Sequence, residues 1–410
     1  VKIRRPGGGM MRFEYDAMGN LTAVSDPMGN QRRHGYDPAG RLVRTTDPMG
    51  GVTELIYDKM DRVKEERLPD GKRITYEYTA GGDLIRIDDG SFPVNYSYDS
   101  EARLTKKEYP AIRKSVAYVY DKQGLQTKLI DSESRETRYE YDSLKQLAAV
   151  VLPDGARISF DYDIKGRLRF THYPNGITGS REYDAAGRIT AIRYQDRNKK
   201  TVAGWAYRYD AAGNLAEQKD HLGQTTHFRY DPTGQVTEDR RPDQTIRYGY
   251  GPGGNRTRSE ENGTVTTYRY DVADRLIQRG PEKLTYDKKG RLIARRSTDG
   301  ITQYEYDASD RLVKVTTPDG ETTSYGYTPS GERVWKKDRE GLTHYIYDDL
   351  DLIQEIGEGG SAKATYIHGP GLDQPLAMIR KGRTYYYHAD RLGSIRHLTD
   401  DRGAISARYD

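Results

Sequence analysis

Large apolar residues recur along this chain in pairs two positions apart, and the second member is nearly always a tyrosine followed by aspartate. The segments "FEYDAMGNL" and "GYDPAGRLV" near the start, "FDYDIKGRL", "YRYDAAGNL" and "FRYDPTGQV" in the middle, and "YRYDVADRL", "TYDKKGRL" and "YEYDASDRL" later are versions of one unit. Its anchoring tyrosines are Tyr15, Tyr36, Tyr57, Tyr78, Tyr98, Tyr120, Tyr141, Tyr162, Tyr183, Tyr209, Tyr230, Tyr250, Tyr270, Tyr286, Tyr306, Tyr327 and Tyr347. Successive spacings are 20 to 22 residues, apart from 26 before Tyr209 and 16 before Tyr286. Aspartate follows in 14 of the 17 copies, as Asp16, Asp37, Asp58, Asp142, Asp163, Asp210, Asp231 and Asp307 illustrate; Thr79, Gly251 and Thr328 are the exceptions. Seventeen copies in near-register make this a repeat protein.

The unit has a mechanical reading. Tyr207 and Tyr209 project from one face of a strand. Asp210 opens a tight turn, because its carboxylate accepts from the backbone two residues on. Gly213 supplies the positive φ such a turn needs, and Leu215 starts the returning strand. A second turn signal stands at the far end of many units: "PDG" at 69–71, 153–155 and 318–320, "PNG" at 174–176, "DPMG" at 26–29 and 47–50. Each repeat is therefore one β-hairpin plus the turn to the next, and the chain is all-β with about 34 strands. The long interval before Tyr209, "YQDRNKKTVAGW", reads as a polar insertion at a loop tip.

Composition decides what such hairpins build. Only 34% of residues are apolar and mean hydropathy is −0.94, yet 35 tyrosines stand against 5 Phe and 2 Trp. Disordered chains do not carry such aromatic content; tyrosine must supply most of the large apolar area. At about 4.8 Å per strand, 34 strands laid flat would extend about 160 Å and leave a tyrosine face uncovered, so the sheet must curl. A propeller needs apolar residues on both faces, whereas the residues between the tyrosines are mostly Glu, Arg, Ser or Gly. A narrow solenoid and a wide one-layer shell both remain consistent with the pattern, which favours a curled single sheet without deciding its width. With 66 basic and 62 acidic residues intermixed, no nucleic-acid patch or anionic-membrane anchor stands out. Zero cysteines exclude disulfides and thiolate metal sites, and no run is apolar enough to span a bilayer as a helix. "VKIRRPGGGM" lacks the apolar stretch of a signal peptide.

Candidate chemistry is sparse. Three of the eight histidines, His368, His388 and His397, fall in the last 43 residues, and "HAD" would place His388 and Asp390 on one face of a strand that ran so far. A metal or catalytic site at His388, Asp390 and His397 is the functional reading. Hydrogen-bonded structural histidines are the plainer one, since no His-Glu-x-x-His spacing is present. Glycine clusters at 7–9, 251–254 and 357–360 open no helix and make poor phosphate loops. Recurrent arginines of the Arg-Leu pair that ends the turn, Arg41, Arg103, Arg167 and Arg291, read as cross-strand partners for the repeat's own aspartate rather than as ligand contacts. The tyrosine ladder paves one face of the sheet, with ligand stacking as the alternative.

These tyrosine-aspartate hairpins with Gly-Arg-Leu returns resemble the YD repeats of bacterial Rhs proteins, of their relatives among the C components of Tc toxins, and of animal teneurins. "YIHGPGLDQPLA" at 366–377 and "YYYHADRLGSIRHLTD" at 385–400 resemble the end of the Rhs core. The resemblance implies a partial cocoon-like β-shell, one long antiparallel sheet curled into a hollow spiral. Residues 1–365 would form the hairpin wall and 366–410 the core-closing segment, cut before the expected cleavage region, with Tyr409-Asp410 opening a further hairpin. It also implies a partner: the protein's own C-terminal toxin domain, held as enclosed cargo until delivery, with a delivery apparatus or N-terminal plug in addition. No cofactor and no catalysis by this segment are expected, and the setting would be secreted or on a bacterial cell surface. The "DPMG" stretches superficially resemble the family's cleavage motif but recur at repeat turns. The alternative function is a surface module whose YD repeats bind glycans or partner proteins.

Overall fold

The computed structural model describes residues 1–5, 7–369 and 374–409. These form 40 strands of one antiparallel sheet, with a single 3-10 turn at Pro110–Ile112 and no α-helix among them. Seventeen hairpins lead one to expect 34 strands. The surplus comes from strands outside the tyrosine series, Lys2–Arg4 before it and five after it, from Ala362–His368 to Ile405–Arg408.

Strands pair with their neighbours in sequence, and the register repeats. Each anchoring tyrosine closes its strand opposite the apolar residue that opens the next: Tyr15 faces Leu21, Tyr162 faces Leu168 and Tyr306 faces Leu312. At each of these tyrosines the register slips by one residue, the mark of a β-bulge. The bulge follows from the turn. A type I turn ending in a positive-φ residue leaves one residue unmatched.

Two compact units emerge. The first comprises Val1–Tyr96, Tyr109–Ala111 and Ile246–Leu342. Most of its side chains are half-buried, with Ile74, Ile87, Val94, Tyr109 and Val334 as its best-covered apolar positions. Turns from its two halves meet end to end: Lys289 Nζ lies 2.6 Å from Asp47 Oδ2 and 2.8 Å from Asp310 Oδ1, and Arg291 is 2.8 Å from Asp310. Burial alone would push the Asp47 carboxyl up, but hydrogen bonds from Lys289 and from the Gly51 and Met49 amides hold it below its usual range.

The second unit comprises Ser97–Glu108, Ile112–Thr245 and Thr343–Asp410, and it contains the driest packing. Tyr139 pairs with Val150 and Val150 with Ile158, giving a fully covered row across three strands. Phe160, Thr171, Gly179, Tyr194 and Ala203 continue a parallel row. Gly179 is required there: a Cβ would sit 2.8 Å from Tyr194 Cε1. The "polar insertion" needs correcting. Residues 194–205 lengthen a hairpin, Ile189–Gln195 with Thr201–Tyr209, and only the polar tip at 197–200 is exposed. Tyr194 and Trp205 are buried because the extra strand length carries them under the segment 386–399.

Candidate functional site

The repeat's own machinery explains most of the residues that stand out in the sequence. In the turn after Tyr162, the Asp163 amide donates to the Arg167 carbonyl at 2.9 Å and the Gly166 amide to the Asp163 carbonyl at 2.9 Å. Asp163 Oδ1 accepts from the amides of Lys165 and Arg167, and Oδ2 accepts from Arg167 Nε at 2.7 Å. The Arg167 side chain first, then its amide, hold the Asp163 carboxyl down at about 2. The same five-residue arrangement recurs at Asp37 with Arg41, Asp99 with Arg103 and Asp287 with Arg291. The arginine thus meets the repeat's own aspartate four residues away inside the turn, rather than along the paired strands.

Variants obey the same geometry. Asn20 and Asn214 replace the arginine with an amide donor to Asp16 and Asp210. Thr79 replaces the aspartate and accepts from the Gly82 and Asp83 amides through its hydroxyl. Asp26 and Asp47 of the "DPMG" stretches cap turns of the same kind at the other end of the hairpin. Glycine supplies the left-handed residue at most turns, but Asp61, Ala102, Lys145, Asp274 and Asp310 adopt it with φ between 59° and 65°.

Two links between successive repeats were not legible beforehand. The anchoring tyrosine hydroxyl reaches back to the carbonyl that follows the preceding bulge: Tyr57 to Leu42 at 2.7 Å, Tyr162 to Leu147 at 2.9 Å, Tyr183 to Leu168 at 2.7 Å, Tyr306 to Leu292 at 2.9 Å. The turn arginine lies over that same ring, with Arg167 4.4 Å from the Tyr183 centroid and Arg41 4.8 Å from that of Tyr57. Tyrosine rather than phenylalanine is needed because the bulge leaves a carbonyl without a ladder partner. The available signal was the near-invariance of tyrosine among the copies themselves.

The histidines are placed by packing. His388, on the strand Arg383–Ala389, stands directly opposite His397 on Ile395–Thr399. It is wholly inaccessible, its Nε2 lies 2.8 Å from Thr399 Oγ1, and its ring sits 5.0 Å from Tyr173 and 4.4 Å from Tyr194. Burial, and secondarily the neighbouring His397, push its pKa down to about 3. His397 packs against Trp205 and His221. Asp390 does not join them. The strand ends at Ala389, and the Asp390 carboxylate caps the following turn by accepting from Leu392 and Ser394. His368 is separate again, with Nε2 2.9 Å from the Leu352 carbonyl. Among the described residues no three His, Asp or Glu side chains converge as metal ligands. Tyr409 donates its amide to Arg396, while Asp410 lies outside the described residues.

Beside His388 opens a cavity of about 580 Å³. Its walls combine aromatic residues, Phe160, Tyr162, Tyr173, Tyr194 and Tyr387, with aliphatic ones such as Leu147 and Ile189, and its polar members include Arg181, Thr171, Gln146, Gln374, Asp390 and Arg391. Three backbone-facing tyrosines tie the surrounding layers together: Tyr173 donates to the Tyr387 carbonyl, Tyr194 to that of Ala389, and Tyr207 accepts from the Arg391 amide.

The family model described as teneurin YD-shell matches residues 68–178 and 176–408, and that of the RHS repeat matches 15–52 and 36–73. No curated protein sequence matches. Among solved structures, the Tc holotoxin pore of Photorhabdus luminescens, carrying a TccC3 mutant, is similar over 98% of this chain with a TM-score of 0.78 at 14% identity. A TcdB2-TccC3-TEV structure gives 0.77 over 98%, and TcdB2-TccC3-Cdc42 gives 0.65 over 97%, both at 14% identity. This chain spans 26% of the length of each of those chains. The bulged Asp turns, the tyrosine reach to the preceding repeat and the family match over most of the length lead to one assignment: the chain belongs to the teneurin YD-shell family.

Proposed function

We propose that this chain is a length of wall from a toxin-containing shell, and that it acts by sequestration rather than catalysis. The observation that carries the reading is the wall itself. Each hairpin is tied to the next by a tyrosine hydrogen bond and an arginine over the ring, so the sheet supports itself without a covering helical layer. The fold it shares with part of TccC3-containing toxin structures supports the same reading. In this view the sheet curls around a C-terminal toxin domain of the same polypeptide, in a protein exported or displayed by a bacterium. A chain held in a closed space can neither assemble an active site nor reach a substrate.

A glycan-binding role for the tyrosines draws little support. At anchoring positions such as Tyr57 and Tyr306 the hydroxyl is engaged by a carbonyl and one ring face is covered by arginine, so the repeated tyrosines do not form an open stacking ladder. The test is limited proteolysis of the native gene product, expressed with whatever reading frame follows the core. Containment requires a downstream domain that resists protease while the wall is intact and is digested quickly once the wall is unfolded. Digestion at the same rate in both states would sink the reading.

A further inference from the structure

The turn arginines are each met by an aspartate. Arg181 is not. It stands in the strand Thr178–Tyr183, two residues before the anchoring Tyr183, on the face that lines the cavity. At the equivalent place fifteen of the other sixteen copies carry Phe, Tyr or Leu, and the remaining one carries His34. The guanidinium donates to Thr171 Oγ1 at 3.2 Å, and among the described residues no carboxylate pairs with it. A half-buried guanidinium that no carboxylate of the described residues meets costs desolvation that an aromatic residue there would avoid. A repeat that breaks its own rule, with only a neutral hydroxyl to meet the charge among the described residues, marks a place where something else is being served.

The surroundings say what would compensate it. The walls present tyrosine and phenylalanine faces, suited to stacking a flat ring. The rim adds Arg391, whose guanidinium lies 5.7 Å from the Tyr207 ring centroid, while the Asp390 carboxylate beside it is already used by the Leu392 and Ser394 amides. The cavity volume, about 580 Å³, suits a small organic molecule. We propose that this cavity binds a carboxylate carried on an aromatic body, the ring lying among Phe160, Tyr162, Tyr173 and Tyr194 and the carboxylate on Arg181. The planar fork of arginine matches a carboxylate with two parallel hydrogen bonds, which a lysine would not. The proposal does not depend on the containment reading.

The test is titration of the 410-residue chain with 2-naphthoate and with its neutral analogue 2-naphthamide, followed by calorimetry. Saturable binding of naphthoate, at least about tenfold tighter than naphthamide, is expected, with Arg181→Leu removing that preference. A companion variant, Arg181→Tyr, restores the residue typical of the other repeats. It is expected to melt at the same or a higher temperature than the wild type while losing naphthoate binding. No binding at about 1 mM, equal affinity for the two ligands, or an Arg181→Tyr chain that melts lower would overturn the proposal. N-acetylphenylalanine serves as a third ligand: tighter binding than naphthoate assigns the carboxylate to a peptide terminus, and weaker binding assigns it to a free aromatic acid.

Discussion

Acidification from pH 7 to pH 5 should weaken the second unit through His388. In the native state the ring is inaccessible, bonded to Thr399 and pressed between Tyr173 and Tyr194, with a pKa lowered to about 3. In the unfolded chain it returns to about 6.5. Between those values the unfolded state holds a proton that the native state does not, so stability is fully present above pH 6.5 and falls as pH drops towards 3. The slope approaches about 1.4 kcal/mol per pH unit, which amounts to about 2 kcal/mol lost between pH 7 and pH 5.

Other groups act elsewhere or differently. Carboxyls such as Asp163, held at about 2, begin to lose stability only below the ordinary carboxylate range. His34 is lowered by burial and then by Arg32, and contributes with the same sign from the first unit. Asp348, raised by burial, works in the opposite direction. A variant is therefore needed to isolate His388. The assay is urea unfolding followed by tryptophan fluorescence. The chain has two tryptophans, Trp205 in the second unit and Trp335 in the first, so a Trp335→Phe background reports the second unit alone. His388→Gln keeps a neutral polar group at every pH and should flatten the dependence seen in that background. Equal stability at pH 7 and pH 5, or an undiminished slope in His388→Gln, would refute the reasoning.

Tyr162→Phe removes the bond to the Leu147 carbonyl and should cost about 1 kcal/mol, read as a lower urea midpoint with unchanged m. Gly213→Ala forces a side chain into φ +91° and should cost about 1–2 kcal/mol, whereas Lys145→Gly, at φ 62°, should gain up to about 1 kcal/mol by differential scanning calorimetry. Lys289→Ala strands the Asp47 carboxylate, while Asp310 keeps Arg291, and should lower the stability of the first unit by about 2 kcal/mol; a loss under about 0.5 kcal/mol would show that water replaces the ammonium there.

Periodicity alone carried the repeat, its hairpin form, the turn positions and the all-β class, because each depends on residues close in sequence. Asp163, Gly166 and Arg167 lie within one five-residue turn, and their roles follow from backbone geometry that any such turn must satisfy. The reach of Tyr183 to Leu168 was hidden for a different reason. It depends on the bulge offset, which shifts the register by one residue and orphans a carbonyl. The residues whose environment surprised were those decided by packing between segments some 200 positions apart: Tyr194 against Ala389, His388 against Tyr173, Lys289 against Asp47. A local pattern marks a strand's two faces but not what covers either one. Whether His388 is a ligand or a buried neutral ring, and whether 194–205 is a loop or core, is settled by desolvation and contact, which only the folded chain supplies.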